Sequence, residues 1–69
     1  MAKSINTSRG DLVFLDDMGK YHNEHGPAVI TESGNKYWFK SGLLHREDGP
    51  AIEYISGENK HYLNGLKLT

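Results

Sequence analysis

Two histidines stand close to carboxylates in this chain: His22 is followed by Glu24, and His45 by Glu47 and Asp48. An imidazole oriented by a carboxylate is the constellation of a general base, and His25 and His61 could extend it into a metal site. Arg46, in the run His45-Arg46-Glu47-Asp48, could read a phosphate or a carboxylate through paired N–H bonds. Gly26 and Gly49 could bring backbone close to a phosphate. None of these readings has its companion residues. There is no Walker-type or dinucleotide-binding glycine loop, no serine elbow and no helical pair of metal ligands. A chain this short also struggles to enclose a water-free pocket, so no enzyme and no cofactor are expected.

The two histidines share one place in a repeat. With Gly19 laid on Gly42, a shift of 23, His22 meets His45 and Glu24 meets Glu47; Gly26-Pro27-Ala28 meets Gly49-Pro50-Ala51, and Ser33-Gly34 meets Ser56-Gly57. Units at about 19–41 and 42–64 follow, with a third copy starting at Gly65. An incomplete earlier copy lies in Asp11 to Gly19, where Phe14 and Leu15 are placed against Tyr37 and Trp38. Periods of this length mark units that bury their apolar faces on one another. A residue that recurs at one repeat position is explained by the architecture. His22, His45, Gly26, Gly49, Pro27, Pro50 and Gly65 are accordingly assigned to turns and loops, with the imidazoles bonding exposed backbone groups there.

The pattern within a unit is β. Gly-Pro opens each of the runs Pro27 to Thr31 and Pro50 to Ile55, placing proline where its missing N–H is tolerated. Asn64-Gly65 is a strong signal for a type I′ hairpin, and Ser41-Gly42 occupies the same place one unit earlier. The expected fold is all-β: an antiparallel β-meander of about six short strands, built from two 23-residue repeats plus partial terminal copies. Turns are expected near 17–19, 33–35, 41–42, 56–58 and 64–65. Residues 10–69 form one domain, preceded by a flexible arm at 1–9 with Ile5 as its one buried-type residue. Alternation assigns Val29, Ile52, Thr31, Tyr54, Phe14, Phe39, Tyr62, Leu43 and Leu66 to the packed face, and leaves Tyr37, Trp38 or Leu63 on the other.

Composition narrows the partners. Eight basic and nine acidic residues, interspersed, give a net charge of −1. Phosphate neutralisation has no footprint here, so nucleic acid is not an expected partner, and neither is a membrane. With 69 residues and no cysteine, the core supplies only about 3 to 5 kcal/mol and no disulfide can help, which makes self-association a natural supplement. Without a signal-peptide core or an apolar run of membrane-spanning length, the chain reads as soluble and cytoplasmic. Trp and Tyr dominate interaction hot spots, so Tyr37, Trp38, Phe39, Arg46, Tyr54 and Tyr62 are the candidate partner-binding residues.

The pattern Gly-x-x-His-x-Glu-x-Gly-Pro-Ala, then Ser-Gly, an aromatic strand and another Gly, resembles the short HRxDGPA repeats of bacteriophage and giant-virus proteins. It is more remotely similar to the β-hairpin MORN repeats. The run LHREDGPAIEY with YLNGLKL fits closely; YHNEHGPAVI is a weaker copy, with Asn23 for Arg and His25 for Asp. The resemblance spans Gly19 to Thr69 and implies a β-hairpin repeat sheet and a viral origin, with no catalytic residues to carry over. The expected function is a non-enzymatic protein-binding module, a phage-encoded inhibitor of a host defence or regulatory protein acting by steric occlusion. Its partner is then a host or viral protein, met in the host cytoplasm if the chain is viral. Two other readings stay open. One is a homo-oligomer that sequesters an anionic nucleotide at subunit interfaces, with His45, Arg46 and Trp38 as contacts; the other is an assembly component.

Overall fold

The computed structural model describes residues 3–68; Met1 and Ala2, at the start of the expected arm, and Thr69, at the end of the expected domain, lie outside them. The fold is all-β and antiparallel. Its strands among the described residues are β1 (Lys3–Asn6), β2 (Leu12–Leu15), β3 (Val29–Ile30), β4 (Lys36–Tyr37), β5 (Phe39–Lys40), β6 (Leu43–Leu44), β7 (Ile52–Glu53), β8 (Asn59–Lys60), β9 (Tyr62–Leu63) and β10 (Leu66–Lys67). Six of them form one sheet in the order β1-β2-β3-β4-β7-β8, and β5 with β6 and β9 with β10 form separate hairpins.

The antiparallel all-β class is the one read from the sequence, but the strands do not form a single meander. Among the described residues the expected turns at 41–42 and 64–65 close separate hairpins, because the chain changes partner before each of them. At Trp38 the N–H donates to Ala51 O at 2.7 Å, while the carbonyl accepts from His45 N–H at 2.9 Å. The segment thus leaves the main sheet after β4 and enters a second hairpin as β5. His61 marks the same transition between β8 and β9.

Two kinds of turn alternate, each dictated by its glycine. Thr7 to Asp11, Thr31 to Asn35 and Tyr54 to Glu58 are closed by an N–H to O bond from first residue to last, at 2.8, 2.9 and 3.0 Å. In each the fourth residue is a glycine at positive φ (Gly10, Gly34, Gly57), the three-residue hairpin loop that needs a left-handed position. Ser41-Gly42 and Asn64-Gly65 have positive φ at both residues (52° and 87°, 51° and 84°), which is the type I′ signature. Asp16 to Lys20 is the exception. It stands where a two-residue turn is due, yet takes the longer form, with Asp16 N–H on Lys20 O at 2.8 Å. The Asp16 carboxylate accepts the Lys20 and Met18 N–H groups, both at 2.9 Å. Those bonds, the one from Lys20 foremost, hold its pKa below the ordinary carboxylate value.

The extra residue in that turn corrects the repeat alignment. Phe14 N–H bonds Ala28 O as Trp38 N–H bonds Ala51 O, both at 2.7 Å, so Phe14 corresponds to Trp38 rather than to Tyr37. Ahead of the turn the spacing is 24 residues; beyond it, 23. At a spacing of 24, Ile5 falls on Val29 and hence on Ile52, and the pairings agree: Ile5 faces Val13, Val29 faces Tyr37 and Ile52 faces Lys60. Lys3–Asn6, assigned by sequence to a flexible arm, is therefore the first strand of the earlier copy, paired with β2 along its whole length.

Of the residues alternation selects, Ile52 is buried, while Val13 and the two alanines Ala28 and Ala51, which it did not select, complete the core. Val13, Ala28, Ala51 and Ile52 are the buried apolar side chains among the described residues, and the two alanines have no exposed surface. Each alanine is held in the ladder from both sides: Ala28 N–H bonds Tyr37 O and Ala51 N–H bonds Lys60 O, both at 2.8 Å, while their carbonyls take the Phe14 and Trp38 N–H groups. Leu43 and Leu66, expected in the core, are instead 50% and 72% exposed. They follow the tight Ser41-Gly42 and Asn64-Gly65 turns, whose hairpins have left the main sheet, so the alternation of that sheet does not extend to them.

Candidate functional site

The histidine of each unit ties its loop to the next hairpin. His22 Nδ1 accepts the Ser41 N–H at 3.0 Å, and His45 Nδ1 accepts the Asn64 N–H at 2.9 Å. Ser41 and Asn64 are the first φ-positive residues of the two I′ turns, so the imidazole satisfies a backbone donor that the hairpin leaves outside its own ladder. A neutral imidazole that accepts at Nδ1 carries its proton on Nε2. That atom faces a carboxylate in both copies, Glu24 at 3.5 Å and Glu47 at 3.4 Å. With Nδ1 accepting a backbone N–H and Nε2 turned toward a glutamate, both ring nitrogens are engaged in fastening the loop. His25 and His61 do not join them: among the described residues no three His, Cys, Asp or Glu side chains are grouped to hold a metal ion.

The residue after each histidine spans its own loop. Asn23 Nδ2 donates to Pro27 O and Arg46 Nη1 donates to Pro50 O, each at 3.1 Å. Asn and Arg look like a break in the repeat, yet both are side-chain N–H donors and they perform the same task. The shared donor chemistry was the available sign. Arg46 does more besides. Its Nε bonds Asp48 Oδ1 at 3.2 Å, its Nη1 lies 3.3 Å from Glu53 Oε2, and its guanidinium carbon sits 3.7 Å from the centre of the Trp38 ring. Gly49 leaves room for this packing: a Cβ there would lie 2.9 Å from the guanidinium carbon, so the Arg46 side chain would have to shift.

These loops enclose a groove of about 660 Å³. Trp38 and Phe39 form its half-buried aromatic lining, Lys40, His25 and the paired His22 and His45 add polar surface, and the exposed Glu24, Glu47 and Asp48 give it an acidic rim. The Trp38 indole nitrogen is buried with no hydrogen-bond partner. Of the candidate partner-binding residues, Trp38, Phe39 and Arg46 come together here. Tyr37 and Tyr54 meet each other elsewhere, ring centres 6.3 Å apart and edge to face, and Tyr54 lines a smaller hollow with Ile55 and Lys60. Tyr62 lies in the C-terminal hairpin and lines neither cavity. Sequence reasoning did not single out Lys40 or Tyr21 for the site; Tyr21 packs on Phe39 with ring centres 5.1 Å apart and extends the aromatic surface beside the groove.

Among the described residues no helix is long and apolar enough to cross a membrane. Comparison with protein-family models, with curated proteins and with solved structures finds no match for this chain.

Proposed function

We propose that this chain is a non-enzymatic binding module whose groove between the two His loops receives a segment of a partner protein. The observation that carries this reading is the occupied state of Arg46. Its guanidinium is shared among Asp48, Glu53, Pro50 O and the Trp38 face, so it braces the groove and does not wait for an anion. An acidic rim over an aromatic lining suits a partner segment that presents lysine or arginine beside an apolar side chain. The same features disfavour an anionic nucleotide, which would meet Glu24, Glu47 and Asp48 at the entrance. Within this reading, a viral chain of this kind acts by covering a functional surface of a host defence or regulatory protein.

The test is capture from host lysate on immobilised wild type, with Glu47→Gln/Asp48→Asn and Ile55→Ser as parallel baits. Glu47→Gln/Asp48→Asn also takes charge from the His45 and Arg46 pairs, so circular dichroism and a melt must first show that bait folded like wild type; Ile55 lies away from the groove. A protein held by wild type and by Ile55→Ser, released by raised salt and lost at least tenfold on the Glu47→Gln/Asp48→Asn bait, is the expected result. Equal capture on all three baits would remove the groove from the account.

A further inference from the structure

Each repeat unit joins the next through the same set of links, and the links appear twice. β2 pairs with β3 and β4 pairs with β7 in the same register. The Asp11 side chain accepts the Glu32 N–H, and the Asn35 side chain accepts the Ile55 N–H, both at 2.9 Å. Lys20 lies against Gly42, and Leu43 against Gly65: Cβ atoms built on those glycines would lie 3.4 Å from Lys20 Cδ and 3.3 Å from Leu43 Cδ2.

Among the described residues, one half of this set is left without its counterpart at each end of the sheet. At the β8 edge stand Glu58, at the position of Asp11 and Asn35, and Leu66, at the position of Lys20 and Leu43. At the β1 edge stand Ser8, at the position of Glu32 and Ile55, and Gly19, around whose built Cβ nothing lies within 4 Å. Exposed apolar side chains mark both ends, Ile5 and Met18 on one, Leu63, Leu66 and Leu68 on the other.

We infer that a second copy of this chain docks head to tail, its β1 edge added to β8 and its Gly19 turn beneath Leu66, so that the junction continues the spacing used inside the molecule. Such a contact is heterologous and does not close on itself in a dimer. Two features keep it weak. Lys60 occupies the strand position of Val13 and Tyr37, a charge that discourages simple edge pairing, and Leu68 replaces the histidine that clamps the internal junctions. This inference is independent of what the groove binds.

The test is native mass from micromolar to millimolar concentration for wild type, Met18→Asp and Leu66→Asp, with circular dichroism showing that each is folded. Both side chains are exposed, so neither change removes a core contact. Wild type should grow beyond a dimer as concentration rises. Each variant alone should stay monomeric, and an equimolar mixture should give a terminated dimer, because one variant keeps its tail and the other its head. A wild type that stays monomeric throughout would overturn the inference. So would self-association lost in Leu66→Asp but kept in Met18→Asp, which describes a tail-to-tail dimer.

Discussion

Ala51→Leu should leave the chain without a cooperative folding transition, as read by thermal or urea melting under circular dichroism. Ala51 has no exposed surface, and both of its backbone polar groups are bonded to neighbouring strands, its N–H to Lys60 O and its carbonyl to Trp38 N–H. The residue therefore cannot shift to admit a larger side chain without parting three strands. Overpacking typically costs about 1–3 kcal/mol and more where the surroundings cannot move. A domain of this size holds only about 3–5 kcal/mol in total. Ala51→Gly, which adds no volume, should cost only about 1 kcal/mol and retain a sharp melt. A folded Ala51→Leu with near-normal stability would mean that the alanine is not the pivot between strands.

The second large effect is expected at Trp38, and it separates ring from indole. Trp38→Ala removes the surface on which the Arg46 guanidinium rests, and Arg46 in turn holds Pro50 O and pairs with Asp48 and Glu53. Truncating a core aromatic costs about 3–5 kcal/mol; for a half-buried ring about 2–4 kcal/mol is the expectation, enough to unfold much of the population. Trp38→Phe should be nearly neutral. It keeps a ring under Arg46, it discards an indole N–H that is buried without a partner, and phenylalanine already fills the equivalent position as Phe14. An unmet buried donor costs about 1–3 kcal/mol, so its removal offsets the lost area. Equal destabilisation by Phe and Ala would contradict this assignment. Because Trp38→Ala weakens the fold as well as the groove, Trp38→Phe is the safer probe of binding.

What the sequence showed and what it hid divide along a physical line. Turn chemistry is local: Asn64-Gly65 and Ser56-Gly57 announce their conformations because only a few residues tolerate positive φ. The antiparallel all-β fold followed from those turns and the recurring Gly-Pro-Ala. The first copy was harder to see, because Ser4 and Asn6 stand where Ala28 and Ile30 stand later, and the extra residue in the Asp16 to Lys20 turn shifts the alignment by one. Leu43 and Leu66 were assigned to the core by an alternation that ceases where the chain bends at Trp38 and His61. Three groove residues, Trp38, Phe39 and Arg46, were legible as candidates, but the groove itself was not. It needs loops 22–25 and 45–48 to lie side by side, each fastened to a turn 19 residues ahead by the Ser41 N–H on His22 and the Asn64 N–H on His45.

The account rests on the repeated histidines being fastened into the turns, and their tautomers report that most directly. On 15N-labelled protein at neutral pH, a long-range proton–nitrogen correlation distinguishes the two ring nitrogens, and a through-bond coupling detects an N–H···N hydrogen bond. His22 and His45 should both be Nε2–H tautomers, with couplings from Ser41 N to His22 Nδ1 and from Asn64 N to His45 Nδ1. The Nδ1–H tautomer at either histidine, or rings that exchange freely with no coupling, would contradict the account and return both residues to the candidates for chemistry.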